Sequence, residues 1–578
     1  MINRQQGFTL LEVMAALAIF SMLSVLAFMI FSQVSELHQR SQKEIQKFNQ
    51  LQRTITILDN DLLQLVARRN RSTDKIMVLG EEAIFTTQSR DPLAPLSEAQ
   101  TLLTVHWYLR NHTLYRAVRT SVDGRKDHPA QAMLEHVESF LLESNSGESQ
   151  ELPLSVTLHL KTQQYGALQR RFALPEQLAR EESRRVALPE QLAREESPAQ
   201  TQAGNKKSRQ LRRRPGIITM NNEQRGVALL IVLMLLELLL IVLMLLELMA
   251  ALAADMTISF HGQLHRNRQV NHHLQRQYDI ELAEKLALAS LTQDVKDNDR
   301  QTTLQQYWAQ PQQLQLENGN TVKWQLRDAQ HCFNLNALAK ISDAPLASPD
   351  FPVQVFSALL INAGIDRGNT DEIVQSIADY IDADDSPRFH GAEDNFYQSQ
   401  TPPRHSANQM LFLTGELRQI KGITENIYQR LIPYVCVLPT SELSINLNML
   451  TENDIPLFRA LFLNNITDAD ARVLLQKRPR EGWLTTDAFL YWAQQDFSGV
   501  KPLVAQVKGH LFPYSRYFTL NTESISDEQY GKYQRRTIPG MAKPYFQSHI
   551  FFNRKQQSAQ INRKQQSAQI YRRTLQLY

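Results

Sequence analysis

Between Asp382 and Asp394 the sequence reads DADDSPRFHGAED, with carboxylates at Asp382, Asp384, Asp385, Glu393 and Asp394. Crowded carboxylates are the chemistry of a hard divalent cation such as calcium. Asp382, Asp384 and Glu393 fall at positions 1, 3 and 12 of the familiar twelve-residue calcium loop. Position 6 of that loop must be glycine for its sharp turn, and here it is Pro387. The segment is therefore not an EF-hand. Pro387 and Gly391 can still shape a turn around an ion. A hydrated acidic loop without an ion is the other reading, and the residues alone leave both open.

Two further pairs could do chemistry. Cys332 and Cys436 are the two cysteines of the chain. Neither lies in a CxxC, which argues against a zinc cluster. In an oxidising compartment they could close a loop of about 100 residues, contributing ~4–5 kcal/mol on the chain-entropy model. Two buried free thiols are the alternative. Lys421-Gly422, in LRQIKGITENIYQRL, has the shape of a helix-hairpin-helix turn, whose amides hold phosphate in DNA-binding versions. A structural or partner-docking insert is the favoured reading, because no dense Arg/Lys surround accompanies it. GxSxG, HExxH, Walker A and dinucleotide glycine patterns are absent, so the sequence offers nothing for an enzyme. The formal net charge of +3 is too small to indicate a nucleic-acid partner.

These residues sit in a chain of 578 residues, enough for several domains, with an ordinary globular composition. From Val13 to Phe31 no residue is charged, about the length needed to span a bilayer core of ~30 Å. Phe48, Leu51, Ile55, Leu58, Leu62 and Leu65 then recur at spacings of 3 and 4. This stripe predicts that the helix continues and packs on a downstream sheet. KIMVLG, AIFTTQ, LLTVHWYLR, HTLYRAVRT, LSVTLHLKT and ALQRRFAL predict the strands of that sheet. Asn111-His112 is expected to be a hairpin turn. A polar stretch ending in KKSRQLRRRP follows, a solvated basic run. A second apolar run, Val227 to Ala254, is interrupted by Glu237 and Glu247. As a helix it is about 42 Å long, too long for an untilted span. The excess is a tandem copy: LLIVLMLLEL occurs at 229–238 and 239–248. ALPEQLAREES (173–183, 187–197) and NRKQQSAQI (553–561, 562–570) are also duplicated. Each unit occurs only twice and the three are unrelated, so they are not solenoid repeats.

GFTLLEV after a short basic stub resembles the class III leader of type IV pilins and type II secretion pseudopilins. The resemblance implies cleavage after Gly7 and methylation at Phe8. It makes Glu12 the fifth mature residue, the carboxylate that neutralises a neighbouring subunit's amine during assembly. The segments LQRTITILDNDLLQLVARR, VHWYLRNHTLYRAVR and YGALQRRFALPEQL resemble the minor pseudopilin J family. The second half, from Met220, resembles the minor pseudopilin K family, with cleavage implied after Gly226, before Val227. Its fifth mature residue would be Ile231, without a carboxylate, which suits a subunit at a filament tip. KWQLRDAQHCFNLNALA, SIADYIDADDSPRFHGAEDNFY, ELRQIKGITENIYQRLIPYV and REGWLTTDAFL carry the K resemblance.

The resemblance implies an α+β fold of two pilin-like modules. Each has a long N-terminal helix, membrane-embedded at its start, packed on an antiparallel sheet, and the second carries a large helical insertion. The expected layout is a leader at 1–7, a long helix at 8–70, a β-rich head at 71–184 and a polar, basic linker at 185–219. A second leader-like stub (220–226), long helix (227–300), sheet part (301–345), helical insert (346–512) and C-terminal β segment with tail (513–578) follow. The resemblance also implies structural calcium in the K-like part. Its implied partners are other pseudopilins, notably an I-type minor pseudopilin, the prepilin peptidase and an inner-membrane assembly platform. Single-pass anchors in the bacterial inner membrane, with periplasmic heads, are expected, and nucleic acid is not. The function implied is a structural one, at the tip of the type II secretion pseudopilus. The alternative is a minor pilin pair of a type IV pilus or DNA-uptake system. One difficulty follows from topology: two spans in one simply inserted chain return the second head to the cytoplasm. Either Met220 starts a separate protein, or cleavage separates the halves, or the join is artificial. Glu12→Ala is expected to impair assembly of the first module, read as lost secretion; normal secretion would count against the role of Glu12.

Overall fold

The computed structural model describes residues 10–71, 73–90, 100–119, 122–123, 128–144, 152–153, 155–174, 225–298, 300–317, 319–340, 349–401, 403–525, 545–552 and 568–576. The chain is a mixture of helix and antiparallel sheet, divided into two units. One comprises Met1–Asn49 with Arg184–His272, the other Gln50–Ser183 with His273–Tyr578.

The first unit is helical where it is described. It holds the start of helix α1, Leu10–Leu63. Of its described side chains, Met14, Leu17, Met22, Val25, Phe28 and Met29 stand exposed, as do Leu235, Leu239 and Met244 further along the chain. Among the described residues no helix is long and apolar enough to cross a membrane. Many side chains of the two apolar runs lie outside the described residues. So do Gly7 and Phe8 altogether, and the side chain of Glu12, whose backbone lies in α1.

The second unit begins with the last turns of α1. The hydrophobic stripe behaves as its spacing predicts at Leu51, Leu58 and Leu62, which are buried. Each contributes about 1.5–3 kcal/mol by leaving water. Phe48 departs from the expectation: it is 47% exposed. It lies in the other unit, ahead of the sheet that covers its neighbours. The helix ends at Leu63, short of the expected 70, and Leu65 is buried on the turn beyond it.

Strands β1 (Met77–Val78), β2 (Glu82–Arg90), β3 (Gln100–Arg110), β4 (Thr113–Arg119) and β5 (Gln131–Glu135) form one antiparallel sheet in chain order. Strands β6 (Val137–Ser144), β7 (Ser155–Thr162) and β8 (Gly166–Ala173) form a second. The β3–β4 turn is Asn111-His112, both at positive φ (50° and 58°), the geometry of a two-residue type I′ hairpin. Strands β5 and β6 were not legible, because "QAMLEHVESFLLES" alternates poorly. Against the sheet, Asp61 of α1 takes a two-pronged bond from Arg116 (2.8 and 2.7 Å) and one from the buried indole of Trp107 (3.0 Å).

Helix α2 runs Arg225–Asp297, 73 residues. Its backbone includes Gly226 and Val227, whose side-chain surroundings lie outside the described residues. Its end buries Ala287, Leu291 and Val295 against a third sheet. That sheet contains β9 (Gln312–Gln315) and β10 (Thr321–Asp328), then strands from the far end of the chain. Between them the chain makes a long helical excursion. Strand β11 (Phe333–Asn334) leads into helices α3 (Phe351–Asn362), α4 (Arg367–Ile381), α5 (Asp394–Gln398) and α6 (Glu425–Leu431), and the chain returns through β12 (Val435–Cys436). A second lobe repeats the plan: β13 (Ile445–Asn446), helices α7 (Ile455–Leu461), α8 (Asp468–Gln476), α9 (Thr486–Asp496) and α10 (Val504–Lys508), then β14 (Leu511–Phe512). Each lobe opens and closes on a parallel two-strand pair, β11 with β12 and β13 with β14. The lobes share one hydrophobic core. The third sheet is completed by β15 (Tyr517–Ile525), β16 (Tyr545–Phe552) and β17 (Ala568–Gln576), in the order β17-β16-β15-β10-β9.

The entrance to each lobe carries the same three residues, Asn-Leu-Asn, at 334–336 and 446–448. Asn336 is fully buried and pairs with Leu411 as a backbone strand would: Leu411 N–H donates to Oδ1 (2.8 Å) and Nδ2 donates to the Leu411 carbonyl (3.0 Å). Asn336→Ala leaves both groups without partners in the core. We expect it to lower stability in urea by about 3 kcal/mol, with the loss concentrated in hydrogen exchange of the first lobe.

Candidate metal centre

The acidic segment leaves α4 and is folded back by its own arginine. Arg388 donates to Asp379 Oδ1 (2.6 Å) and Asp382 Oδ2 (2.5 Å), and its N–H to Asp379 Oδ2 (3.1 Å). The loop closes against Asp379 at Gly391. A side-chain carbon there would stand 1.8 Å from Asp379 Oδ2, so only glycine admits the approach. Lys421 clamps the same loop from outside. Its ammonium donates to the carbonyls of His390 (3.1 Å) and Gly391 (3.2 Å) and pairs with Glu372 (3.2 Å).

Asp379, Asp382 and Glu393 can each offer one oxygen to a common point, these atoms lying within 4.8 Å of one another. Asp379 is fully buried and Glu393 is 2% exposed. Asp382 Oδ1 and both carboxylate oxygens of Glu393 are buried without a hydrogen-bond partner. Buried carboxylate oxygens left in this way are costly unless something positive meets them. Burial pushes Glu393 up to about 8, opposed by the nearby Ser406 side chain and helped by the charges of Asp382, Asp379 and Asp385. Burial also pushes Asp382 up to about 6, with Asp384 and Asp379 adding to it and Arg388 opposing it. The donor set is entirely oxygen, which fits calcium or magnesium and not a thiophilic metal.

The structure thus divides the five carboxylates expected from sequence. Asp382 and Glu393 converge with Asp379. Asp384 instead holds the turn, accepting from the Ser386 N–H (2.8 Å). Asp385 and Asp394 face outward and grip Arg71, at 2.9 and 2.6 Å. Burial would raise Asp394, but bonds from His405 and Ser406 together with the Arg71 charge hold it below the usual range. Asp379 was missed by counting from Asp382. Its signal was present: it lies three residues earlier, in the last turn of α4, with Asp382 just past the helix end.

Before Lys421-Gly422 stands a short 3-10 helix, Thr414–Gln419, and after it the seven-residue α6. Gly422 has φ +82° and lies 3.3 Å, at the position of an added carbon, from Ile373. The Lys421 N–H donates to the Tyr397 hydroxyl (3.3 Å). The turn is packed against the acidic lobe, with Lys421 engaged by its carbonyls and by Glu372. Cys332 and Cys436 are bonded to each other, with Cα atoms 5.7 Å apart, at the base of the first lobe.

Comparison with known proteins defines first the class. Residues 2–28 match the prokaryotic N-terminal methylation motif, the mark of pilin-like subunits processed at a leader. Residues 29–174 match the family of type II secretion system protein J, and residues 331–440 and 445–511 match two models of type II secretion system protein K. A protein K of Escherichia coli (strain K12) is 86% identical over 359 residues, 62% of this chain and 100% of that protein. A protein J of the same strain is 91% identical over 205 residues, 36% of this chain and 98% of that protein. The crystal structure of the GspK-GspI-GspJ complex from enterotoxigenic Escherichia coli is 30% identical, with a TM-score of 0.44, covering 54% of this chain and 99% of that one. The chain belongs to the type II secretion pseudopilin families, protein J in its first part and protein K in its second, joined in one polypeptide.

The carboxylate cluster makes a stability prediction. Glu393 titrates near 8 when folded and at its ordinary 4.5 when unfolded. In that interval the folded chain holds a proton that the unfolded chain has released. Metal-free protein should therefore lose stability as pH rises from about 5 to 8. Asp382 acts in the same direction at its lower range. Thermal melts in chelator across this interval should show the decline, and Glu393→Gln should flatten it.

Proposed function

We propose that the two halves are minor pseudopilins that sit together at the tip of a type II secretion pseudopilus and support export of folded proteins. The observation that carries this reading is the seating of the J-like chain just beyond α1 in the K-like lobes. Arg71 bonds Asp394 and Asp385, and Gln409 exchanges two bonds with the backbone of Arg69 (3.1 and 2.8 Å). Two pilin-like modules are the architecture we infer, each a long helix on an antiparallel sheet, with residues 346–512 as the helical insertion of the second. The role is structural: the heads form a rigid cap and the helices the shaft. An I-type pseudopilin, the prepilin peptidase acting at Gly7 and Gly226, and the inner-membrane assembly platform are the partners proposed. Membrane anchors at Val13–Phe31 and within 227–254, with heads in the periplasm, complete the reading.

Calcium is the cofactor proposed for the K-like half. Asp379, Asp382 and Glu393 would hold it, because three of their buried oxygens lack partners. When bound it would supply charge neutralisation and so fix the loop. Asp384, Asp385 and Asp394 serve the loop and the docking contact in this scheme. The DNA-uptake alternative has no supporting observation, since Lys421 is engaged by the acidic lobe.

Heads that contact each other must lie on the same side of the membrane. Two separately inserted chains satisfy this, and one chain crossing twice does not. Immunoblots of the native source with antibodies to each half should therefore show two bands. One shared band near 66.5 kDa would overturn the two-subunit reading.

A further inference from the structure

The residues that hold the cation and those that hold Arg71 lie side by side on the two arms of one loop. On the first arm, Asp382 points to the cation cluster and Asp385 to Arg71. On the second, Glu393 points to the cluster and Asp394, the next residue, to Arg71. We propose that the J-like segment Val66–Arg71 is a docking plug whose grip on the K-like lobe is coupled to cation binding through this shared loop. The proposal rests on the cation reading above.

The plug is held by contacts of three kinds. Val66 is buried with Leu102 and Val122 of its own half against Leu413 of the other. Arg68, 1% exposed, pairs with Asp123 (2.7 Å) and reaches Glu416 across the seam (3.8 Å). Arg71 closes the row. Its Nη1 donates to Asp394 (2.6 Å), to the Ser406 hydroxyl (3.1 Å) and to Asn408 Oδ1 (3.3 Å), while Nη2 donates to Asp385 (2.9 Å). A planar guanidinium with two prongs requires its two carboxylates at a fixed separation.

That separation is set by the inner residues. Without a cation, Arg388 ties Asp379 to Asp382 on the first arm, and a dication would add the tie to Glu393 on the second. A dication between Asp382 and Glu393 draws the arms together and holds Asp385 and Asp394 at the spacing the fork needs. Such coupling is reciprocal: docking of Arg71 must raise cation affinity by the factor that the cation raises docking. One effect opposes it. The positive charge of Arg71 itself disfavours a nearby dication. Arg71→Lys separates the two, because it keeps the charge and removes the second prong.

The experiment is a calcium titration of the full-length, detergent-solubilised chain by calorimetry, wild type against Arg71→Lys. It is paired with hydrogen exchange of residues 66–71 in calcium and in chelator. Coupling predicts calcium affinity about fivefold weaker in Arg71→Lys. It also predicts slower exchange of the segment in calcium for the wild type, with no such response in Glu393→Gln. Equal or tighter binding by Arg71→Lys, or exchange of the wild-type segment that ignores calcium, overturns the coupling and leaves the cation site standing. Absence of calcium binding by the wild type overturns the cation reading and the coupling together.

Discussion

Four buried asparagines hold the entrances of the helical lobes, and the placement of everything functional in the K-like half depends on them. Asn334, Asn336, Asn446 and Asn448 are 0–3% exposed. Three of the carboxamides bridge backbone groups of facing segments, and Asn446 gives to the Ser515 hydroxyl (2.6 Å). Asn334 receives the Leu438 N–H (3.0 Å) and gives to the carbonyls of Thr440 (2.7 Å) and Glu442 (3.1 Å). Asn448 receives the Trp483 N–H (2.7 Å) and gives to the carbonyls of Trp483 and Pro513, both at 3.0 Å. Two-residue parallel pairs such as β11–β12 are too short to hold themselves together. A satisfied amide in a low-dielectric interior can do so, and an unsatisfied one there is expensive. The result is a geometrically fixed base from which α4 projects the acidic loop.

The seam between the halves follows the same rule with charges in place of amides. Burying Arg68 and Glu416 together costs desolvation that their attraction does not fully return. Glu416 recovers part of the cost by accepting the N–H groups of Phe412 (2.7 Å) and Leu413 (2.9 Å). Ion pairs of this kind specify a geometry more than they strengthen it. The apolar contribution, from Val66 and Leu413, is small and local.

Much of this was legible in the sequence where a side chain's periodicity reports its surroundings. Leu51, Leu58 and Leu62 announced the sheet beneath them, and Asn111-His112 announced a hairpin. The residues from Gly7 to Glu12 and the acidic segment identified the families before any fold was known. What could not be read was long-range. No local pattern says that Asp385 and Asp394 turn outward to an arginine more than 300 residues away in sequence. Lys421-Gly422 resembled a phosphate-binding turn because the residues packed on it are distant in sequence. The pairing of Cys332 with Cys436 depends on the β11–β12 contact, which no spacing rule supplies.

That pairing has a mechanical consequence. The disulfide joins the points where the chain enters and leaves the first lobe, 104 residues apart in sequence. A pull on the backbone at the base of that lobe would therefore pass from Cys332 to Cys436 through the sulfur atoms rather than along the intervening helices. The acidic loop, at 382–394, lies between the two cysteines in sequence and so stands off that path.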